Sequence, residues 1–412
     1  MKKCGVLYIS YLGLLEAIPQ SQVLPYLLKL SDAAEIHLLT YEKRRLLRAN
    51  LRDLELIDSK LKEKQIIWHR LVYHKHPKIL SSFFDIFVGA MFSLCIVMRH
   101  KISIVHARSN IPVAIGFIIK LLAPVKLLYD RRGIMGEDHA EHSGWKEGGW
   151  LYRAAVYFEN KAIKKSDAIV VLTQRMRQHL ENKLAKRRTP GKEILIKTIP
   201  CCVDIDKFKY NYQGEQDLKN RLNLSGKFIF AYSGSLGTYN LLNEMFDFFA
   251  TASDIIPNAH FLILTQNKDI VIKFLAERKN IDQKNVTLLS LSAEDVPMYL
   301  SIADAGLVFR KDSATAIAAS PTKLGEYLAC GIPVISMLKI GDVEAIIGSN
   351  KIGVVLKDYN YGEYKQALNE LFILTKARDS LRERCRRFSE DFFSLARGVN
   401  VYSEIYNSLC RR

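Results

Sequence analysis

The chain has 412 residues, 49% of them apolar and 25% charged, a composition that excludes a disordered or fibrous protein and is enough for two domains with separate cores. Lysine and arginine number 60 against 43 acids, a formal net charge of +17, which implies an anionic partner: nucleic acid, an acidic membrane or a phosphorylated substrate. The seven cysteines form no Cys-x-x-Cys pair and no zinc-spaced cluster, so free thiols in a reducing compartment are expected, with no metal.

At the start, Met1-Lys2-Lys3-Cys4 and the apolar Val6-Leu7-Tyr8-Ile9 have the look of a signal peptide. Glu16 and Pro19 interrupt it without a small-residue cleavage site, so a first strand is expected instead. A loop with Gly13 leads to an apolar helix near residues 23–30, then to a strand over 36–40. Strand, glycine loop, helix and strand open a doubly wound domain, which gathers ligands at the C-terminal ends of its strands. Residues 42–65 have the pattern of a charged, solvated helix, and a strand begins at Ile66. Residues 79–98 carry one charge, Asp85, with three serines and Gly89. The length matches a bilayer, but the charge and serines favour a largely buried or interfacial helix. Lys75, Lys78, Arg99 and Lys101 flank it, so contact with an anionic membrane surface is an expectation.

Two strands, over 102–110 and 125–129, end in the polar tips His106-Ala-Arg108-Ser and Asp130-Arg-Arg132-Gly133, which a parallel sheet would set side by side. Each of His106, Arg108, Asp130 and Arg132 has an ordinary explanation, as a satisfied buried histidine or an Asp–Arg brace. Four at adjacent strand ends point to a site. Glu137 and Asp138 follow in an expected glycine-rich loop running past Gly144 and Trp145 to Gly149, suited to touching a ligand. A helix over 151–164, a strand over 167–173, a basic helix running to Arg188 and a strand over 194–199 complete this half. Asp204-Ile-Asp206 matches an Asp-x-Asp metal motif, but in a linker its acids most simply cap a turn.

The second half restarts the pattern with a strand over 228–232 and the loop Ser233-Gly234-Ser235-Leu-Gly237-Thr238. Glycines there let backbone N–H groups approach a phosphate. Strands follow over 260–265, 286–291 and 306–309, the last leading into Arg310-Lys311. The most informative stretch is Ser320-Pro-Thr-Lys-Leu-Gly-Glu-Tyr-Leu-Ala-Cys-Gly-Ile-Pro-Val334. Ser320 is expected as N-cap and Pro321 at the first helical position, with Gly331 ending the helix left-handed and Pro333 barring its continuation. A helix start bearing Thr322 and Lys323 suits a phosphate. Glu326 lies about 7–8 Å further along the axis, roughly the offset between a diphosphate and the ribose hydroxyls of a nucleotide. The chain from Arg378 onward is helical and basic.

The 320–334 segment closely resembles the nucleotide-sugar motif of the retaining GT-B glycosyltransferases of family four. The segments 13–23, 105–110 with 130–133, and 232–238 resemble the same family, the two strand-end tips being typical of a bacterial polysaccharide-type subgroup. The resemblance implies an α/β, GT-B fold of two Rossmann-like doubly wound parallel-sheet domains facing across a cleft. Residues 1–203 would form the acceptor-side domain and 204–390 the nucleotide-sugar domain, with 391–412 a helix packing back on the first. The implied activity moves a sugar from a nucleotide diphosphate sugar to a hydroxyl of a glycan or lipid-linked acceptor, with retention, in cell-surface polysaccharide synthesis. It needs no metal and no cofactor beyond that co-substrate, and no nucleic-acid partner. The location would be cytoplasmic, peripheral on the inner face of the membrane. Donor binding would fall to Gly13, Gly234, Ser235, Gly237, Lys311, Ser320, Thr322, Lys323 and Glu326. Catalysis would fall to His106, Asp130, Arg132 and Arg310, and the acceptor side to Arg108, Glu137 and Asp138.

Two positions depart from the family pattern. Ala318 stands where the first of two glutamates is usual, and Ser235 occupies a loop that usually carries an arginine and a lysine. Arg310, Lys311 and Lys323 are then left to supply the positive charge. A nucleotide-sugar epimerase of the same fold and a non-catalytic basic protein binding membrane or nucleic acid are the competing readings.

Overall fold

The computed structural model describes residues 3–143, 145–186, 193–210, 212–237, 240–278 and 280–411. Gly144, Arg188 and Thr238 lie outside the described residues. The chain forms two compact units, Met1–Pro200 with Leu395–Arg412, and Cys201–Ser394.

In the first unit the strands are β1 (Cys4–Ser10), β2 (Ala34–Glu42), β3 (Ile67–Val72), β4 (Ile104–Arg108), β5 (Lys126–Asp130), β6 (Ala168–Val171) and β7 (Leu195–Thr198). They form one parallel sheet in the order β3-β2-β1-β4-β5-β6-β7. Val6, Leu7, Ile9, Leu38, Leu39, Val105, Leu127, Leu128 and Ile169 are buried; such unbroken apolar runs mark strands covered on both faces. The order reverses between β1 and β4, and a doubly wound sheet opens a crevice at that point, beyond its strand ends. In register, Ser10 of β1 lies beside Arg108 of β4, and Arg108 beside Asp130 of β5.

The helices of this unit depart from expectation in three places. The single helix expected near 23–30 is two, α1 (Ala17–Gln22) and α2 (Leu24–Leu30). Pro25, at the start of α2, has no N–H to continue a preceding helix. For the 79–98 helix, α3 (Lys78–His100), expected to be largely buried or interfacial, the buried alternative fails, since only 33% of its apolar window is covered. Its inner side buries Ser81, Asp85, Ala90, Ser93, Ile96 and Val97, and it packs on α4 (Asn110–Leu122). Glu137 and Asp138 lie not in a loop but in the first turn of α5 (Met135–Ser143), where the helix dipole favours acids. The cysteine expectation also fails at one pair. Cys4 and Cys410 are joined, their Cα atoms 6.4 Å apart, while Cys95, Cys201, Cys202, Cys330 and Cys385 form no disulfide.

The second unit has β8 (Phe228–Ser233), β9 (Ala259–Leu264), β10 (Val286–Leu289), β11 (Ala305–Val308), β12 (Val334–Met337) and β13 (Gly353–Leu356). The sheet is parallel, in the order β10-β9-β8-β11-β12-β13, reversing between β8 and β11. An apolar core lies on each face, one built on Leu324, Leu328 and Phe393, the other on Phe230, Phe248 and Phe261.

The Ser-Pro-Thr-Lys segment becomes α6 (Thr322–Ala329), with Pro321 in the N-cap position. Ser320 is therefore one residue too early to cap it, and its Oγ instead accepts the Cys201 N–H at 3.1 Å. Gly331 takes φ +73° and ends the helix as expected. The Tyr327 ring lies against Gly306, where a Cβ would fall 2.3 Å from Cδ2. Its hydroxyl accepts the Ser233 N–H at 2.8 Å. On the other side, Gly325 fits beside Val203 and Phe393, the latter at the end of α7 (Arg378–Phe393), and Ser389 Oγ donates to the Gly325 carbonyl at 3.1 Å. Asp204 Oδ1 accepts the N–H groups of Asp206 and Lys207 at 3.1 and 3.3 Å, so this acid caps a turn. Residues Leu395–Arg411 form α8, which packs on α2, β1 and β4 of the first unit.

Gly306→Ala is expected to lower stability by about 1–3 kcal/mol, because the added methyl must displace a fully buried ring. Urea denaturation followed by circular dichroism measures the loss.

Candidate functional site

The first unit brings His106, Arg108, Asp130 and Arg132 into one network. Because side chains alternate along a strand end, Asp130 and Arg132 turn to one side and Arg131 to the other, where its Nε pairs with Glu159 Oε1 at 2.9 Å. Arg132 grips Asp130 with a two-pronged contact, Nε to Oδ1 and Nη2 to Oδ2, each 2.8 Å. Arg108 Nη1 donates to Oδ2 at 3.2 Å, and His106 Nε2 lies 3.5 Å from the same oxygen. Two tyrosines of α8 close the network, the Tyr402 hydroxyl accepting from Arg132 at 2.8 Å and the Tyr406 hydroxyl meeting His106 Nδ1 at 2.7 Å. Burial alone would raise the Asp130 pKa, but Arg132, His106 and Arg108 outweigh it and hold the carboxyl well below its ordinary range. Burial lowers the pKa of His106 despite Asp130 beside it.

This arrangement changes the reading of two residues. Asp130 and His106 have 0% exposure, so neither presents a surface to a substrate. Asp130 orients Arg132 and Arg108, which lie at the rim of the network, with side-chain exposures of 11% and 8%.

Gly13 also has a different physical reason from the one expected. A Cβ there would fall 2.2 Å from Glu42 Oε2. Glu42 Oε1 accepts the Leu14 N–H at 2.9 Å and the Thr40 hydroxyl at 2.7 Å. Burial pushes up its pKa. The glycine makes room for a buried carboxylate at the sheet's C-terminal edge, a residue the sequence reading missed; its one signal is an acid closing the apolar run Leu38-Leu-Thr-Tyr-Glu42. In α5, Glu137 accepts from the Tyr152 hydroxyl at 3.2 Å. Asp138 occupies the space left by Gly133, and burial, aided by Glu159, pushes its pKa up to about 7.

In the second unit the loop after β8, Arg310 just beyond β11 and the start of α6 converge at the switch point. Gly234 takes φ +128°, a conformation open chiefly to glycine. The Ser235 carbonyl accepts from the Tyr232 hydroxyl at 2.7 Å and from Asn240 Nδ2 at 2.8 Å, and Leu236 N–H donates to Asn267 Oδ1 at 3.0 Å. Lys323 Nζ lies 3.9 Å from the centroid of the Tyr232 ring and 3.4 Å from Asn240 Oδ1. A Cβ on Gly234 would sit 3.4 Å from that Nζ, so the glycine keeps open the space in front of the ammonium. Burial lowers the Lys323 pKa to about 7, with Glu326 opposing and Arg310 assisting. Burial raises Glu326 to about 7, against Lys323 and Lys207. Asn240 also bridges the Arg310 backbone, and the Arg310 carbonyl accepts from the Tyr359 hydroxyl at 3.2 Å.

Of the expected donor-side residues, Gly234, Ser235, Arg310, Lys323 and Glu326 thus come together, with Thr322 beside them as the first residue of α6. Ser320 is turned to Cys201, Gly237 is exposed at the loop's outer end and Lys311 is exposed after Arg310. Tyr232 and Asn240 were not singled out from the sequence. Tyr232 reads there as an ordinary strand residue, and Asn240 has no motif. Ala318 is buried at 4% exposure. A backbone turn kept open by glycine, an ammonium over an aromatic face, a nearby arginine and a helix start together make a place for an anion.

Residues 214–388 match the family model described as glycosyl transferases group 1. No curated protein matches the chain in sequence. Solved structures share its fold over almost the full length. A glycosyltransferase from Rickettsia africae ESF-5 superposes with a TM-score of 0.72 at 14% identity, covering 100% of each chain. HepE from Anabaena, in complex with UDP and glucose, gives 0.70 at 14% identity, covering 98% of this chain and 100% of its own. WaaG, a glycosyltransferase involved in lipopolysaccharide biosynthesis, gives 0.66 at 14% identity, covering 97% and 99%. The fold is therefore that of the GT-B glycosyltransferases. Within it, the stretch that matches the group 1 model lies in the second unit.

Asp130→Asn is expected to destabilise the protein by about 3–5 kcal/mol, since it leaves two arginines facing a neutral amide in a buried setting. Chemical denaturation of the two proteins side by side tests this.

Proposed function

We propose that the protein is a glycosyltransferase that moves a sugar from a nucleotide diphosphate sugar to a hydroxyl of a glycan or lipid-linked acceptor, with retention at the anomeric carbon. The observation that carries the reading is Lys323 facing the Gly234 turn, with Glu326 one turn further along α6, inside the stretch that matches the group 1 model. The diphosphate would lie between Lys323, Arg310 and the start of α6, and Glu326 would accept hydrogen bonds from the ribose. As the bond from the anomeric carbon to the diphosphate breaks, negative charge grows on the leaving oxygen. Prepositioned cations and helix N–H groups stabilise that charge without reorganising. With two cations and a helix start to stabilise that charge, the reaction would call for no metal and no cofactor beyond the nucleotide sugar. The acceptor hydroxyl would attack from the face the diphosphate leaves. Its oxygen bonds the anomeric carbon, and its proton passes to the departing phosphate oxygen. Arg132 and Arg108, held by Asp130 and His106, would present positive charge on the acceptor side, with Glu137 and Asp138 near the same strand end. A lipid-linked intermediate of cell-surface polysaccharide, met at the inner face of a membrane, suits the net charge of +17.

Binding of a panel of nucleotide diphosphate sugars, measured by thermal shift and then calorimetry, tests the reading. It fails if none binds at millimolar concentration. Glu326→Ala is expected to weaken donor binding by about tenfold to a hundredfold, the worth of hydrogen bonds to a charged group, while the denaturation midpoint moves little. Equal loss of both would make Glu326 a scaffold residue. Donor affinity should also depend on pH in a definite sense. Lys323 titrates near 7 in the free protein, whereas a diphosphate ester keeps its charge through that range. Below pH 7 the ammonium is already present, but Glu326, raised to about 7, must release a proton to accept from the ribose, so affinity falls on that side as well. Above pH 7 a proton must be taken up, so affinity falls toward about tenfold per pH unit. Calorimetry in buffers of different ionisation enthalpy should detect proton uptake at pH 8 and proton release at pH 6.

A further inference from the structure

Helix α3 carries an apolar surface that the first unit does not use. Leu80, Phe83, Phe84, Phe87, Met91 and Met98 are 68, 66, 54, 65, 49 and 64% exposed. At about 100° per residue, Leu80, Phe84, Phe87, Met91 and Met98 fall within about 40° of one line along the helix, with Phe83 beside them. The stripe runs along a helix of 23 residues. Leu121 and Leu122, 61 and 63% exposed, lie at the end of α4, the helix packed against α3.

Three observations identify what covers this stripe. First, its length and composition would let α3 cross a bilayer, but its opposite side is fastened to the sheet. The Asp85 carboxylate accepts from the Tyr11 hydroxyl at 2.7 Å, from the His74 N–H at 3.3 Å, and meets His74 Nδ1 at 2.6 Å. The Tyr41 hydroxyl donates to the Asp85 carbonyl at 2.7 Å, in the space left by Gly89. Pulling α3 out to span a membrane would put that carboxylate in hydrocarbon. Second, the stripe is rich in phenylalanine and methionine. Third, exposed Lys75 precedes the helix, exposed Arg99 and Lys101 end it, and between Lys75 and Lys101 the only acid is the buried Asp85. A second copy of the chain laid on this stripe would bring like charges together at both ends, whereas anionic lipid headgroups would neutralise them.

We infer that α3 seats the first unit on an anionic lipid bilayer, with the helix lying in the plane of the interface. Its phenylalanines enter the acyl boundary, and its terminal cations meet the headgroups. The inference stands apart from sugar transfer, because it depends only on the surface of α3.

Flotation of the full-length protein with vesicles tests it, comparing pure phosphatidylcholine with phosphatidylcholine containing phosphatidylglycerol. Wild-type protein should float with the anionic vesicles and much less with the neutral ones, and high salt should weaken the association. The double variant Phe83→Ser/Phe87→Ser removes only exposed side chains, so its thermal unfolding should match wild type. Its vesicle affinity should drop by about tenfold or more. Arg99→Glu/Lys101→Glu should lose binding to anionic vesicles selectively. The inference is overturned if the wild type does not float with anionic vesicles, or if the folded serine variant floats equally well. It is also overturned if the stripe instead holds two copies together, which would appear as a concentration-dependent dimer, abolished by the serine variant, in a protein that ignores vesicles.

Discussion

The second unit turns on the seat of one aromatic ring. Tyr327 lies against Gly306 with no room for a methyl between them, and its hydroxyl holds the Ser233 N–H. That contact joins α6, β11 and the end of β8. It fixes where the first turns of α6 stand relative to the loop that Gly234 begins, and so where Lys323 meets Tyr232. Packing alone could not set the arrangement so closely, because a ring on a flat apolar surface slides. The hydrogen bond removes that freedom.

The two units manage buried charge in opposite ways. In the first, the Asp130 carboxylate has Arg108, Arg132 and His106 around it, and the cations outweigh the cost of burial. The result is a fixed charge that keeps its ionisation and aims two arginines. In the second, Lys323 and Glu326 stand half-covered without that density of partners, and burial brings both toward neutrality near pH 7. A pair poised in this way changes its ionisation readily when an anion arrives. A fixed cluster suits positioning, and a poised pair suits binding that comes and goes.

The helix α3 joins surface and interior in one element. Its inner side carries Asp85, tied to Tyr11 just after β1, and its outer side carries the phenylalanines. Whatever rests on the outer side therefore bears on an element hydrogen-bonded to the sheet's C-terminal edge.

Much of this was legible in the residues. Apolar runs such as Val6–Ile9 and Phe228–Tyr232 specify strands buried on both faces, and the strand–glycine–helix rhythm specifies two doubly wound sheets, because local pattern and burial agree there. The polar tips at Arg108 and Asp130 could be set side by side, since parallel strands in sequence order leave few other pairings. The sequence could not tell that Ser320 reaches Cys201 rather than capping α6, because Pro321 takes the capping position and the N–H that Ser320 accepts comes from 119 residues away in the chain. It could not bring Tyr402 and Tyr406 to Arg132 and His106, nor explain Gly13 by Glu42, because those contacts depend on how distant segments pack. Local propensity thus determined which elements form and where their chemistry-bearing ends lie. Only the tertiary structure decided which side chains are buried as braces and which are left facing outward, because burial belongs to the whole packed unit and to no short stretch of it.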